Sequence, residues 1–217
     1  MTVKAALFDL DRTLVRRETA TLFVRYLRDV GQASWGDAAR TAYWIFQYTL
    51  GLLDAPAVAE KALSRFAGTE ATVFADSFED WFRRYVVMHV SEAGREAVKK
   101  HRDAGDVLAI VTGALRYAAQ PLADELGIEH LVATDLVVDQ GKITGKPVYP
   151  LCYGEGKVTL TQKLAERLGF SLSEATFYTD SATDLPMLER VQTPVAVNPD
   201  IRLRRIAARR GWPVLSW

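Results

Sequence analysis

Asp9 and Asp11 stand one residue apart in Phe8-Asp9-Leu10-Asp11-Arg12-Thr13-Leu14, directly after the apolar run Lys4 to Phe8. Such a run reads as a buried strand, and the carboxyl end of a strand is where open α/β sheets bind ligands. Residues two apart share a strand face, so both acids can converge on one ligand, one attacking while the other handles protons. An acid-rich turn capping a helix is the alternative use of the same residues. A second junction follows Val107 to Val111, where Thr112-Gly113-Ala114 offers a hydroxyl and a flexible backbone before a helix. Thr112 and the N–H groups of a helix start can hold phosphate oxygens, helped by the helix dipole; alternatively, Thr112 simply caps that helix.

A third candidate is Lys157 in Gly154-Glu155-Gly156-Lys157. A cation at a helix start opposes the dipole and is an odd choice for stability alone, although a solvated lysine is the ordinary alternative. Lys146, in a loop beside Pro147, and Lys163, in mid-helix, are its rivals. The fourth segment is Phe177-Tyr178-Thr179-Asp180-Ser181-Ala182-Thr183-Asp184-Leu185-Pro186, again an apolar strand ending in an acid, with a second acid four residues on. These are hard oxygen ligands suited to Mg²⁺, or helix caps.

The elements that must position these groups alternate. Strand-like runs at Lys4 to Phe8, Val107 to Val111, Ala175 to Tyr178 and Pro194 to Val197 are separated by helix-length stretches such as Glu92 to Ala104, Arg116 to Leu126 and Lys157 to Leu168. That rhythm predicts an α/β fold with a doubly wound, Rossmann-like parallel sheet. Residues from about Thr19 to Val90 break it: Thr21 to Val30, Ser34 to Leu53, Ala55 to Phe66 and Thr72 to Val90 are all helical in pattern. This block reads as an all-helical insertion, giving a core of residues 1–16 plus 92–217 around a helical unit of 17–91. Leu131 to Val138 and Lys142 to Thr144 read as a hairpin turning at Gly141.

Lys plus Arg and Asp plus Glu number 27 each, so no global field recruits nucleic acid or an anionic membrane; a small molecule is the expected partner. The lone Cys152 forms no internal disulfide, and the start of the chain lacks a signal-peptide pattern, so a cytoplasmic location is expected. Tyr43 to Leu53, the most apolar window, is about half the roughly 20 residues that span a bilayer; its aromatics form either a buried helix face or an interfacial one.

In order and spacing the four segments resemble the haloacid-dehalogenase-like phosphatases, whose pattern is Asp-x-Asp-x-Thr, then Ser or Thr after a strand, then Lys, then a closing acidic motif. The resemblance covers essentially the whole chain. The helical block resembles the first-type cap of that superfamily. Asp9-x-Asp11-x-Thr13 followed by Glu18-Thr19, and the tail Ala196-Val197-Asn198-Pro199-Asp200 with Gly211-Trp212-Pro213, resemble its phosphoserine-phosphatase-like subgroup. The chain departs from the phosphoserine enzymes at Thr112-Gly113-Ala114, where they carry Ser-Gly-Gly, and at Thr179-Asp180-Ser181, where they favour Gly-Asp-Gly.

The resemblance implies Asp9 as nucleophile and Asp11 as general acid and then base. It implies Mg²⁺ held by Asp9, Asp11 through its carbonyl, and Asp180; phosphate held by Thr112, Gly113 and Lys157; and Asp184 orienting Lys157 or a metal-bound water from behind. Glu18 matches the acid that recognises a substrate amine, which implies an amine-bearing phosphomonoester such as phosphoserine or histidinol phosphate. A lipid-derived phosphate, suggested by Tyr43 to Leu53, and a catalytically silent binding protein are the alternatives. Dehalogenases generally lack an acid at the position of Asp11 and cation-pumping ATPases carry Thr there, while signalling receivers differ in length and motif order. His89, His101 and His130 have no metal-ligand spacing and receive no role.

Overall fold

The structure is a computed structural model that describes residues 3–34, 36, 60–61 and 63–217. Its centre is a six-stranded sheet in which every neighbouring pair is parallel. In chain order the strands are β1 (Ala5–Phe8), β2 (Val107–Leu115), β3 (His130–Thr134), β6 (Thr176–Thr179), β7 (Thr193–Val197) and β8 (Val214–Leu215). Their spatial order is β3-β2-β1-β6-β7-β8, so the chain builds outward from β1 on one side and then restarts beside β1 on the other. The reversal between β1 and β6 is the topological switch point at which such sheets take ligands.

Both faces of the sheet are covered, which is why its strands are continuously apolar rather than alternating. Ala6, Phe8, Leu108 and Ile110 pack on one face with Val98 of helix α3 (Glu92–Asp103) and Leu122 of α4 (Arg116–Leu126). Ala5, Leu7, Ala109 and Val111 pack on the other with Val158 and Leu164 of α5 (Glu155–Leu168) and Leu203 of α7 (Ile201–Arg210). A short α6 (Leu185–Leu188) precedes β7. Phe8 and Phe177 are fully buried, and each such side chain contributes about 1.5–3 kcal/mol of burial. The expected doubly wound parallel sheet is borne out.

Between β1 and β2 the described chain is helical: α1 (Thr19–Asp29), a short turn at Ser64–Phe66, and α2 (Ala71–Trp81), which runs on through a π turn (Phe82–Val86) into a 3₁₀ turn (Val87–His89). Within this block Phe23 stacks on Phe78, while Phe74 and Trp81 meet Phe78 edge to face. They join the same apolar cluster as Phe8 and Ile110. Most of the expected helix Ser34 to Leu53, including the Tyr43 to Leu53 segment and the aromatics Trp35, Trp44, Phe46 and Tyr48, lies outside the described residues, as does half of Ala55 to Phe66. The block's two stems run side by side: Arg16 N–H donates to His89 O at 2.9 Å and Ser91 N–H to Leu14 O at 2.8 Å.

Two expectations need correction. Leu131 to Val138 is not one arm of a hairpin, because the chain bends at Asp135, whose carboxylate accepts from Arg116 Nε at 2.5 Å and Nη2 at 3.0 Å. Residues before the bend form β3 in the main sheet, and only β4 (Leu136–Asp139) pairs with β5 (Lys142–Pro147), antiparallel. The turn is at Gln140-Gly141, both with positive φ, as a type I′ hairpin requires. Second, β2 continues to Leu115, so Thr112 lies within the strand and does not cap α4, whose N-cap position is Leu115.

Candidate active site

The register of the sheet brings the four segments together. Phe8 pairs with Ile110 on one side and with Tyr178 on the other. Asp9 and Asp180 therefore leave adjacent strands at the same carboxyl edge, beside Thr112 on the neighbouring β2. Asp9 N–H donates to Tyr178 O at 2.8 Å, so the ladder holds the first acid up to the point where the chain departs.

Lys157 enters from the first turn of α5 and is 3% exposed. Its Nζ donates to Asp9 Oδ1 at 3.0 Å and to Asp184 Oδ2 at 2.8 Å. Asp184 also accepts from Thr179 Oγ1 at 2.6 Å, so its carboxylate is fixed from two sides and in turn fixes the ammonium. Lys157 is thus no solvated lysine, and neither rival takes its place: Lys146 is exposed on β5 and Lys163 is exposed on α5. Asp180 and Asp184 provide no side-chain cap either; Ser181 caps the turn at Ala182–Asp184 by accepting from Thr183 N–H.

Asp11 is half-buried, and its Oδ1 accepts from Thr19 N–H, the first residue of α1, at 2.6 Å. Glu18 occupies the N-cap of α1 but makes no side-chain cap bond. Its half-buried carboxylate faces the site, where its charge acts on Asp11 and Asp180. Thr112 is 1% exposed and its Oγ1 accepts from Ala114 N–H at 3.1 Å, across the exposed Gly113 where the pairing of β2 with β3 shifts register. Thr13 is fully buried and its hydroxyl has no partner among the described residues.

Five carboxylates face two cations here, and burial makes the imbalance costly. Desolvation raises Asp9 from its ordinary 3.8 to about 7, outweighing the attraction of Lys157. Asp11 is likewise raised to about 7, first by burial and then by Glu18. Burial and the charges of Asp9 and Glu18 push Asp180 well up, against Arg12, whose Nε lies 3.5 Å from its carboxylate. A divalent cation would relieve this crowding. Among the described residues no three His, Cys, Asp or Glu side chains group as a metal site. The expected set asks for only two, Asp9 and Asp180, completed by the Asp11 carbonyl, and Mg²⁺ is commonly held by one or two carboxylates with water filling the remaining positions. The donor set fits.

The sequence profile described as haloacid dehalogenase-like hydrolase matches residues 6–189. The chain belongs to that family. A histidinol-phosphatase of Neisseria meningitidis serogroup C is 33% identical, with 98% of each chain covered. The phosphoserine phosphatase SerB1 of Mycobacterium tuberculosis is 32% identical over 97% of this chain and 70% of its own. Among solved structures, a protein of unknown function from Bordetella pertussis Tohama I superposes with a TM-score of 0.89 at 32% identity, covering 99% of both chains. This hydrolase is therefore an enzyme of the phosphatase branch, as its motifs led us to expect.

Residues given no role from sequence also shape the site. Arg12 flanks Asp180, Thr179 anchors Asp184, and Asn198 and Asp200 bind the backbones of the two acidic loops. His101, given no role, sits behind the sheet with Nδ1 2.6 Å from Asp106 and Nε2 2.9 Å from the Tyr178 hydroxyl.

Proposed function

We propose that this hydrolase cleaves small phosphomonoesters through a phosphoryl group carried on Asp9. The observation that carries the reading is the buried Asp9–Lys157–Asp184 chain at the switch point of the sheet. A carboxylate and a fixed ammonium side by side suit an attack on phosphorus and the charge that develops there.

Asp9 attacks phosphorus, forming an acyl phosphate as the ester P–O bond breaks. Asp11, raised to about 7 and so able to hold a proton near neutrality, gives it to the departing oxygen. It then takes a proton from the water that attacks phosphorus, freeing Asp9 and inorganic phosphate. Lys157, Thr112 and the Gly113 backbone hold the phosphoryl oxygens, with Asp184 steadying Lys157. Asp9, Asp180 and the Asp11 carbonyl would hold Mg²⁺, which supplies positive charge against the repulsion between carboxylate and phosphate.

For substrate we favour an amine-bearing phosphomonoester, with histidinol phosphate first and phosphoserine second. The names of the relatives above and the position of Glu18 support this order, since a carboxylate with no cap bond beside Asp9 suits an ammonium group. A lipid-derived phosphate draws no support from the described residues. The same reading divides the chain into a core of 1–16 and 92–217 and a cap of 17–91, and places it in the cytoplasm, in keeping with its single buried, free Cys152.

Phosphate release from histidinol phosphate, phosphoserine and p-nitrophenyl phosphate, with and without Mg²⁺, tests the proposal. Asp9→Asn should lose activity by about 10⁴-fold or more while keeping its fold by circular dichroism. Glu18→Gln should weaken kcat/KM on the amine-bearing esters only. Activity that survives Asp9→Asn would reject the covalent route, and an equal loss on all three esters would reject the role of Glu18.

A further inference from the structure

The stretch Asn198-Pro199-Asp200, between β7 and α7, touches both acidic loops. Asn198 Nδ2 donates to Arg12 O at 2.9 Å, and Arg12 Nη2 donates back to Asn198 O at 3.4 Å. Asn198 is itself held by Trp217, whose N–H donates to its Oδ1 at 3.0 Å, and by Leu215 O, which accepts its N–H at 2.9 Å. Both Arg12 and Asn198 have left-handed backbones, φ 52 and 43, a conformation that costs a non-glycine residue and persists only where neighbours over-determine it. Two residues later Asp200 N–H donates to Asp180 O at 2.8 Å, while Asp200 Oδ2 accepts from Ala182 N–H at 2.9 Å and Oδ1 caps α7 through Leu203 N–H at 2.7 Å.

From this geometry we infer that Asn198 and Asp200 are positioning residues that together form a brace setting the distance between the loop of Asp9 and Asp11 and the loop of Asp180 and Asp184. The inference rests on the proposed function, in which those two loops supply the ligands of one cation. Neither brace residue reaches the reacting atoms through the contacts described. Each fixes a backbone segment adjoining a carboxylate, and Pro199 between them is buried. A cation bridging Asp9 and Asp180 needs the two loops at one separation, and the loops come from strands distant in sequence. The brace is a short segment in contact with both.

Asn198→Asp is the deciding variant. It keeps the acceptor for Trp217 N–H and nearly the same shape but can donate neither to Arg12 O nor, at 3.3 Å, to Trp217 O. Its added negative charge alone would tighten Mg²⁺, whereas loss of positioning weakens it, so the two effects have opposite signs. Asp200→Asn retains an acceptor for the α7 cap but leaves either Leu203 or Ala182 N–H without one. Mg²⁺ affinity is read by calorimetry without substrate, and kcat and KM on p-nitrophenyl phosphate at saturating Mg²⁺. Leu126→Ala, a core truncation at the far end of α4, controls for lost stability.

Both brace variants should bind Mg²⁺ about 10- to 100-fold more weakly, as losses behind metal ligands do. kcat should recover largely at high Mg²⁺, and Leu126→Ala should bind Mg²⁺ like the wild type. Wild-type or tighter Mg²⁺ binding by Asn198→Asp, or equal weakening by Leu126→Ala, would overturn the brace while leaving the phosphatase reading intact. A wild type that neither binds Mg²⁺ nor releases phosphate would overturn that reading and the brace with it.

Discussion

Asp9 and Asp11 are costly residues for this fold, and the cost has a pH signature. In an unfolded chain they ionise near 3.8, whereas in the folded protein both are raised to about 7. Between those values the folded state holds protons that the unfolded state has released. The stability this confers is complete below the lower value and is lost as pH rises through the upper one. In chelator, the thermal midpoint should therefore fall between about pH 5 and about pH 8, and excess Mg²⁺ should raise it more at the higher pH. A midpoint in chelator that does not fall would mean that these carboxyls titrate normally. Cys152 is shifted in the same direction: it is fully buried, and burial pushes its thiol up to about 12. The thiol stays neutral and sheltered, so native protein should resist alkylation that goes to completion in denaturant, as a thiol-reactive dye would report. Both acids and Lys157 were legible because each directly follows an apolar run or a glycine turn. Asn198 and Asp200 stood out only as part of a resembling tail; their contacts were not legible, because most of their partners are backbone groups far away in sequence, and a backbone group carries no residue-type signal.

At the scale of elements, the site depends on where α5 begins. Gly156, next to Lys157, lies against the Leu151 carbonyl, and an added Cβ would run into that oxygen. Backbone meets backbone there, with no flexible side chain to give way, so Gly156→Ala must shift the first turn of α5 and pull Lys157 from Asp9 and Asp184. We expect a stability loss of about 1–3 kcal/mol and a fall in kcat larger than that of a variant at Lys163, on the same helix but away from the site; unchanged kcat would show that α5 can adjust without moving Lys157. Element boundaries were readable where a local signal marks them. Arg116 to Leu126 was found as expected because Gly127, in a left-handed conformation, ends the helix. The bend at Asp135 was missed although Thr134-Asp135 interrupts the apolar run, since the Arg116 that grips Asp135 comes from another element. The parallel sheet followed from the alternation of runs, but β8 is a two-residue edge strand too short to show a period.

For the whole molecule, the described part of the helical block is joined to the rest of the chain at several places, two of them through backbone hydrogen bonds. One is the pair of stems at Leu14–Arg16 and His89–Ser91. The other is the hairpin, where Gly68 N–H donates to Ile143 O, Ile143 N–H to Thr69 O and Ala71 N–H to Gly141 O, each at 2.8 Å. The shared apolar cluster of Phe74, Phe78 and Ile110 lies with them. Substrate entry is expected to need movement of this block, and such motions draw on the less stable parts of a fold. Amides of Gly68, Ala71 and Ile143 should thus exchange with solvent faster than those of β1. Vanadate, as a phosphate mimic, should slow that exchange. Equal protection with and without vanadate would mean that the block stays put while substrates come and go.

The hairpin then has a meaning that its size hides. With the stems as a hinge, β4 and β5 are the latch: a few peptide bonds on a flap that contributes no strand to the main sheet. On the proposed phosphatase reading, opening the block about its stems breaks the bonds that Gly141 and Ile143 make to it, so we expect a substitution at that turn to change the rate of turnover.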